Sequence, residues 1–419
     1  MENGELGVMA KNINTVVEPV ENTTEIEAPY ELPDGWKWYK IQDFVDIFLG
    51  LTHTPEYVDN GIPFLSVKDM SSGYIDFSNT KYISEEEYKG LPRGAKPKQG
   101  DILFARAGTI GIPQIIDTDR LFGIFVSLGF FRLKQENLYT KKFIIHWMNS
   151  ILFEHQVNAN IKGSTIKNLN TGWLKKFYIP LPPTLEEQQR IVNRIETLFA
   201  KLDQATEKAQ NVVDSFETRK ASILHKAFTG EFTKKWRDEN GVGDDSWMEK
   251  TIGECLKFHS GDAIKVRKVE TGKYPIYGGN GINGYYLENN VDKDTLVIGR
   301  VGFYCGSVHI TIDKAWVTDN ALILNFSEVL LDKIFLLHLL NYKKLGSFSN
   351  STAQPVISGK VLNPIKIKIP SLPEQQEIVC ILDVILEREN KAKEAAEAVL
   401  EQIDLLKKSI LARAFRGEL

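Results

Sequence analysis

A stretch of 48 residues occurs twice in this 419-residue chain, 187 positions apart and without a gap. Leu185–Phe232 and Leu372–Leu419 share 18 identical positions, among them the openings EQQRIV (Glu187–Val192) and EQQEIV (Glu374–Val379). The ends match as well: ILHKAFTGEF from Ile223 and ILARAFRGEL from Ile410. A repeat of this length makes the chain a duplication of one structural unit, so any fold it adopts must use the same pattern twice.

Inside the repeat the apolar residues step by four and three. In the first copy they are Ile191, Ile195, Leu198, Leu202, Ala205, Ala209, Val212, Phe216 and Ile223, with Arg219 out of character. In the second they are Ile378, Leu382, Ile385, Ala392, Ala396, Val399, Ile403, Leu406 and Ile410, with Glu389 as the break. This is a heptad seam, uninterrupted by Pro or Gly, with Pro183 and Pro373 at the starts and Gly230 and Gly417 beyond the ends. Each copy predicts a helix of some 44 residues, roughly 65 Å long. A helix that long cannot bury its whole stripe on one small domain, so the two seams are expected to pack on each other. An internal two-fold relating the copies would make the pair antiparallel.

The rest of the chain divides around these helices: an acidic tail at 1–29, globular segments at 30–182 and 241–371, helices with their linkers at 183–240 and 372–419. The globular segments share a skeleton. Each opens on a tryptophan (Trp36, Trp247), carries a strand-like run into Arg-x-Gly (DILFARAG from Asp101, DTLVIGRVG from Asp294), and closes on a Ser-Thr element (Gly163–Asn170, Asn350–Ser358). Short alternating runs, Gly/Asn turns and a late helical stretch (141–156, 331–345) read as a mixed α+β fold in both. The predicted fold class is therefore α+β, two similar mixed α/β domains separated by two long antiparallel helices.

Net charge is −4. Divided along the chain it is −5 in the tail, +2 in each globular segment, 0 in the first helical stretch and −3 in the second. The lean toward positive charge in both domains is compatible with phosphate contacts. It is far from the basic footprint of a free-standing DNA binder, so partner subunits are expected to supply part of the field. The three cysteines, Cys255, Cys305 and Cys380, are far apart and form no C-x-x-C pair, which speaks against a disulfide framework or zinc site and for a reducing cytoplasm.

The sequence carries no complete catalytic motif. Gly279-x-Gly281-x-x-Gly284 matches the dinucleotide pattern, but strand-like sequence follows where a helix is needed to receive a pyrophosphate. Asn363-Pro364-Ile365-Lys366 lacks the second proline and the aromatic of the amino-methyltransferase element. There is no G-x-x-x-x-G-K-[ST] and no H-E-x-x-H. An enzyme with its own recognition domains is disfavoured on these grounds. A protein-binding coiled-coil scaffold is disfavoured by the two diverged, slightly basic domains.

From about residue 30 to its end the chain resembles the specificity subunit of a type I restriction–modification system. The resemblance rests on the duplicated E-Q-Q-x-I-V opening, the helix, the A-F-x-G-E end (Ala227–Glu231, Ala414–Glu418), the strand-like run from Asp101 or Asp294 into Arg-x-Gly in each domain and YPIYGGNGINGY at Tyr274–Tyr285. It implies a non-catalytic subunit whose two target recognition domains read the halves of a bipartite, asymmetric double-stranded DNA site. It also implies two modification subunits that bind S-adenosylmethionine, and restriction subunits that use ATP and magnesium; no cofactor is expected on this chain.

DNA contacts are expected among polar and basic residues of Gly-bounded loops, Arg, Asn and Gln matching base edges and Lys, Ser and Thr mostly holding phosphates. In the first domain these are Lys68, Arg106, Thr109, Lys162, Ser164, Thr165 and Asn168; in the second, Lys273, Asn280, Asn283, Tyr285, Arg300, Ser351, Thr352 and Gln354. Arg106 and Arg300, each at the end of a strand, could equally hold backbone. Because the helix ends stay alike while the domains drift, Gln188, Gln189, Phe228, Gln375, Gln376 and Phe415 are expected to dock the modification subunit. If the helices act as a ruler, inserting four residues, about 6 Å, into one of them should shift the tolerated spacer by one or two base pairs. Methylome sequencing checks this: an unchanged spacer or altered half-sites would refute it.

Overall fold

In the computed structural model, residues 28–70, 73–160, 168–243, 245–264, 272–349 and 355–419 are described. Most of the acidic tail, residues 1–27, therefore lies outside the described residues. The chain forms two compact units, residues up to 208 together with 399–419, and residues 209–398. Residues of each repeat fall in both units, 185–208 and 399–419 in the first, 209–232 and 372–398 in the second.

The predicted helices are present. The second runs unbroken from Leu372 to Phe415, 44 residues. The first is split, Leu185–Asp214 and Phe216–Phe228, with a further helix at Lys234–Asn240. At the split, Arg219 reaches back to the Ser215 hydroxyl and to the Val212 carbonyl, 3.2 Å. The two seam breaks explain each other: Arg219 Nε donates to Glu389 Oε2 at 2.6 Å.

Within each unit the helices run antiparallel. In the first, Arg190 donates to the Leu419 carbonyl at 2.7 Å and Lys407 to Asp203 at 2.6 Å, so one chain rises as the other falls. In the second, Lys393 lies 5.0 Å over the Phe216 ring, one turn from the Arg219–Glu389 pair.

The two domains repeat one topology, which gives the predicted mixed α/β class. In the first, a four-stranded sheet is ordered Val45–Leu49, Leu128–Leu133, Ile102–Ala105, Gly111–Ile115. A three-stranded sheet is ordered Lys81–Ile83, Ile62–Leu65, Gly123–Ile124, its last pair parallel. The second domain has the same orders, Leu256–Ser260, Ala321–Phe326, Leu296–Gly299, Val308–Ile310 and Gly281–Tyr286, Tyr274–Gly278, Trp316–Val317, again with the last pair parallel. A two-stranded ribbon joins the start of each domain to its end: Lys37–Lys40 with Tyr178–Leu181, and Met248–Thr251 with Lys366–Ile369. The Gly279-x-Gly281-x-x-Gly284 stretch is a turn running into a strand, as its sequence implied.

The expected docking residues need correction. Phe415 is 1% exposed and meets Phe143 edge-on at 5.1 Å; Phe228 is 6% exposed, between Phe335 and Tyr342. Gln188 and Gln375 are fully buried. The amide oxygen of Gln188 accepts from the Thr140 N–H at 3.0 Å, that of Gln375 from the Asp332 N–H at 2.8 Å. Thr140 and Asp332 precede the late helices Lys141–Met148 and Lys333–Tyr342, so both glutamines tie a long helix to its domain. These four residues are alike in the two copies because they satisfy the interior, and aspartate at Phe228 or Phe415 would test folding. Gln189 and Gln376 are exposed.

One piece of the frame differs between units. Glu374 is fully buried, and its Oε1 accepts from Thr233 Oγ1 (2.7 Å), Arg237 Nη1 (2.7 Å) and Trp247 Nε1 (3.0 Å). Its counterpart Glu187 pairs with Arg190 on the surface. Neutralising one member of a buried pair strands the other, at a cost of about 3 kcal/mol, whereas a surface pair is worth no more than about 1. Glu374→Gln should therefore lower urea-unfolding stability by about 3 kcal/mol and Glu187→Gln hardly at all; equal losses would refute the assignment.

Candidate nucleic-acid interface

In each domain three separate stretches converge at the end of one buried strand. In the first, Ile102–Ala105 delivers Arg106, whose N–H donates to the Ser127 carbonyl at 2.8 Å. The Arg106 guanidinium turns back into the domain: Nε donates to the Leu169 carbonyl at 2.6 Å and Nη1 to the Val126 carbonyl at 3.0 Å. Burial lowers its pKa. The Leu169 N–H donates to the Arg106 carbonyl at 2.9 Å, and Ala107 bridges to Asn168, which places the closing element against the Arg-x-Gly loop. Ser127 Oγ also accepts from the Val67 N–H at 3.1 Å, drawing in the short turn Val67–Met70 that presents Lys68. Buried Asp69 shapes that turn by accepting from the N–H and hydroxyl of Ser66, and its other oxygen lies 4.0 Å from Lys68 Nζ.

The second domain rebuilds this arrangement with different side chains. Leu296–Gly299 delivers Arg300, whose N–H donates to the Asn320 carbonyl at 2.9 Å, and Nη1 lies 3.5 Å from the Asp319 carbonyl. The Ile357 N–H donates to the Arg300 carbonyl at 3.0 Å, and Val301 bridges to Val356. The third stretch is the Gly279–Asn280 turn. It lies so close that a Cβ on Gly299 would stand 2.2 Å from the Gly279 carbonyl, so only glycine fits there.

Of the candidates from the sequence, Asn168 meets the Arg106 loop through its bridge to Ala107, Thr109 follows in that loop, and Lys68 sits on the turn tied to Ser127. In the other domain Asn280 follows Gly279, which lies against the Gly299 that precedes Arg300, and Asn283 lies by Gly278. Lys273 and Tyr285 lie toward the far end of the hairpin, where Pro275 pairs with Tyr285. Lys162, Ser164, Thr165, Ser351, Thr352 and Gln354 lie outside the described residues. Of the two roles open to Arg106, its guanidinium bonds to the Leu169 and Val126 carbonyls support that of a loop anchor, whereas the Arg300 contact to the Asp319 carbonyl is long, 3.5 Å. Phe303 and Tyr304, 91% and 50% exposed in the same loop, lie outside the candidates expected from polar and basic residues. Their signal was an aromatic pair fenced by Gly302 and Gly306.

Comparison with known proteins agrees with this geometry. Residues 33–214 and 244–402 match the model of the type I restriction modification DNA specificity domain. The EcoprrI specificity subunit of Escherichia coli is 26% identical over 375 residues, covering 86% of this chain and 90% of that protein. The EcoKI specificity subunit of Escherichia coli K12 is 22% identical, covering 93% and 90%. In fold, the chain resembles the HsdS subunit from Thermoanaerobacter tengcongensis (TM-score 0.61, 21% identity, 94% of this chain and 100% of that one). It also resembles a chain of a type I system solved for its complex assembly and conformational transition (TM-score 0.73, 20% identity, 93% and 100%).

The chain belongs to the type I restriction–modification DNA specificity family. It is a non-catalytic DNA-recognition subunit. Among the described residues no helix is long and apolar enough to cross a membrane.

If Arg106 anchors the loop, Arg106→Ala should cost about 2 kcal/mol of unfolding free energy with no DNA present, since hydrogen bonds from a charged donor are worth roughly 1.5–3 kcal/mol. Urea denaturation of the isolated subunit measures it. A stability like that of the unsubstituted chain would return Arg106 to the role of a DNA contact.

Proposed function

We propose that each domain reads one half of a bipartite, asymmetric DNA site, while the long helices set the spacing and dock two modification subunits. One observation carries the reading: the same three-stretch frame is built twice, and its tips carry different residues. Thr109 follows Arg106 by three positions and Phe303 follows Arg300 by three, in loops whose bases share the same backbone bonds. Identical frames with unlike tips suit two readers of unlike sequences, since phosphate contacts position a protein and base contacts specify.

Both domains carry only slight positive charge, which fits a reader that shares the phosphate load with partner subunits. Gln189 and Gln376 occupy equal, exposed positions in the two helix copies, as docking two copies of one partner requires. S-adenosylmethionine would reside on the modification subunits, ATP and magnesium on the restriction subunits.

Exchanging residues 245–371 for the same segment of a relative tests the division of labour. Methylome sequencing of a host carrying the intact system should show one half-site replaced, with the other half and the spacer kept. Replacement of both halves, or of neither, would overturn the reading.

A further inference from the structure

The second domain holds an aromatic ring in water at a place where the fold has no use for it. Phe303 is 91% exposed, and its ring meets that of Tyr304 edge-on at 5.1 Å. The turn beneath is firmly made. The Gly302 N–H donates to the Pro355 carbonyl at 3.0 Å, the Cys305 N–H to the Gly302 carbonyl at 2.9 Å and the Gly306 N–H to the Gly299 carbonyl at 2.7 Å. The Cys305 thiol lies 3.2 Å from the Arg300 carbonyl. Gly306 has φ +88°, and a Cβ there would stand 2.1 Å from the Gly346 nitrogen. Exposure of Phe303 is thus imposed by a braced loop.

We infer that Phe303, flanked by Tyr304, is an apolar base contact of the second domain, specifying its half-site through the ring. This rests on the reading that the second domain recognises DNA. The ring's place in the frame favours nucleic acid: it stands three positions beyond Arg300, where Thr109 stands beyond Arg106, in a loop whose base is held by the same backbone bonds as its counterpart. An exposed phenylalanine there has two uses against a duplex, packing on a thymine methyl or wedging at a base step, and neither needs a hydrogen bond. Thr109 holds the equivalent place in the first domain, so the first half-site should be indifferent to Phe303.

The test uses the complex assembled from this chain and its modification subunits, with duplexes carrying the methylome-defined site. Phe303→Ala should weaken binding to that site about tenfold, the range of one base–aromatic contact. Phe303→Leu should fall between. Affinity for unrelated duplex and the dependence of binding on salt should stay as they were, because no phosphate contact is lost. Thermal stability should also hold, since the ring lies outside the core. Unchanged affinity of the Ala variant, in a complex that still discriminates mismatches in the second half-site, would overturn this inference alone. An equal loss on unrelated DNA, or failure to assemble with the modification subunits, would overturn it in favour of a backbone or protein contact. A complex blind to mismatches in the second half-site would overturn the underlying reading, and this inference with it.

Discussion

Everything in this structure depends on how two helices of some 44 residues dispose of an apolar stripe that runs their whole length. Neither globular domain is large enough to cover such a stripe. Each unit solves the problem locally, by setting the start of one helix against the end of the other and closing both on a domain. Leu411, Ala414 and Phe415 join the core of the first domain, although they follow it in sequence by more than two hundred residues. Leu224, Ala227 and Phe228 do the same for the second. Tyr30 adds a hydrogen bond to the Phe415 carbonyl at 2.9 Å, and burial pushes its phenol pKa up, so it remains a neutral donor. Likeness of the two helix ends is thus first a requirement of folding.

The fold class, the helices and the duplicated domains were legible because they are written as period and repeat. The phase of the second helix was legible only in part. Leu382, Ala396 and Ile403 are buried as the pattern implied, but Val399 and Leu406 are 40% and 50% exposed. Lys393 and Lys407 take the inward places instead, beside Leu386 and Leu400. The reason is the length of the lysine stem, which covers apolar surface while its ammonium stays near water. Lys407 lies over the Phe199 ring at 5.7 Å and still reaches Asp203. A pattern that scores lysine as polar reads such a seam one residue out of place. The opposite sign of Arg219 and Glu389 did hold a message, since the two interruptions bond to each other.

The interface was harder to read, because residue type separates anchors from readers poorly. Arginine is the leading reader of guanine, yet Arg106 spends its Nε and one Nη on carbonyls of its own domain. Glutamine at a helix start could meet a partner, yet Gln188 and Gln375 are consumed by loop amides. Phe303 was passed over because exposed phenylalanine is the exception in a folded protein. In all three cases the deciding information is which backbone groups need a partner, and that exists only once distant segments meet.

The division between frame and tip has a physical consequence for how such a reader can change. Substituting Arg106 removes guanidinium bonds to two backbone carbonyls, and substituting Gly306 crowds a close approach, so each costs folding free energy before any DNA is met. Substituting Phe303 or Thr109 costs the fold almost nothing, because neither is held by the core. On the proposed reading, variation at the tips alters what is read while stability stays level; variation in the frame lowers stability whatever is read. The two domains show the outcome: their strand orders and anchoring bonds coincide, and the residues at the loop tips differ in size, polarity and loop length. A six-residue turn between Gly299 and Gly306 replaces a five-residue one between Ala105 and Gly111. Such an insertion is absorbed because the hydrogen bonds that hold the loop are made at its base and not at its tip.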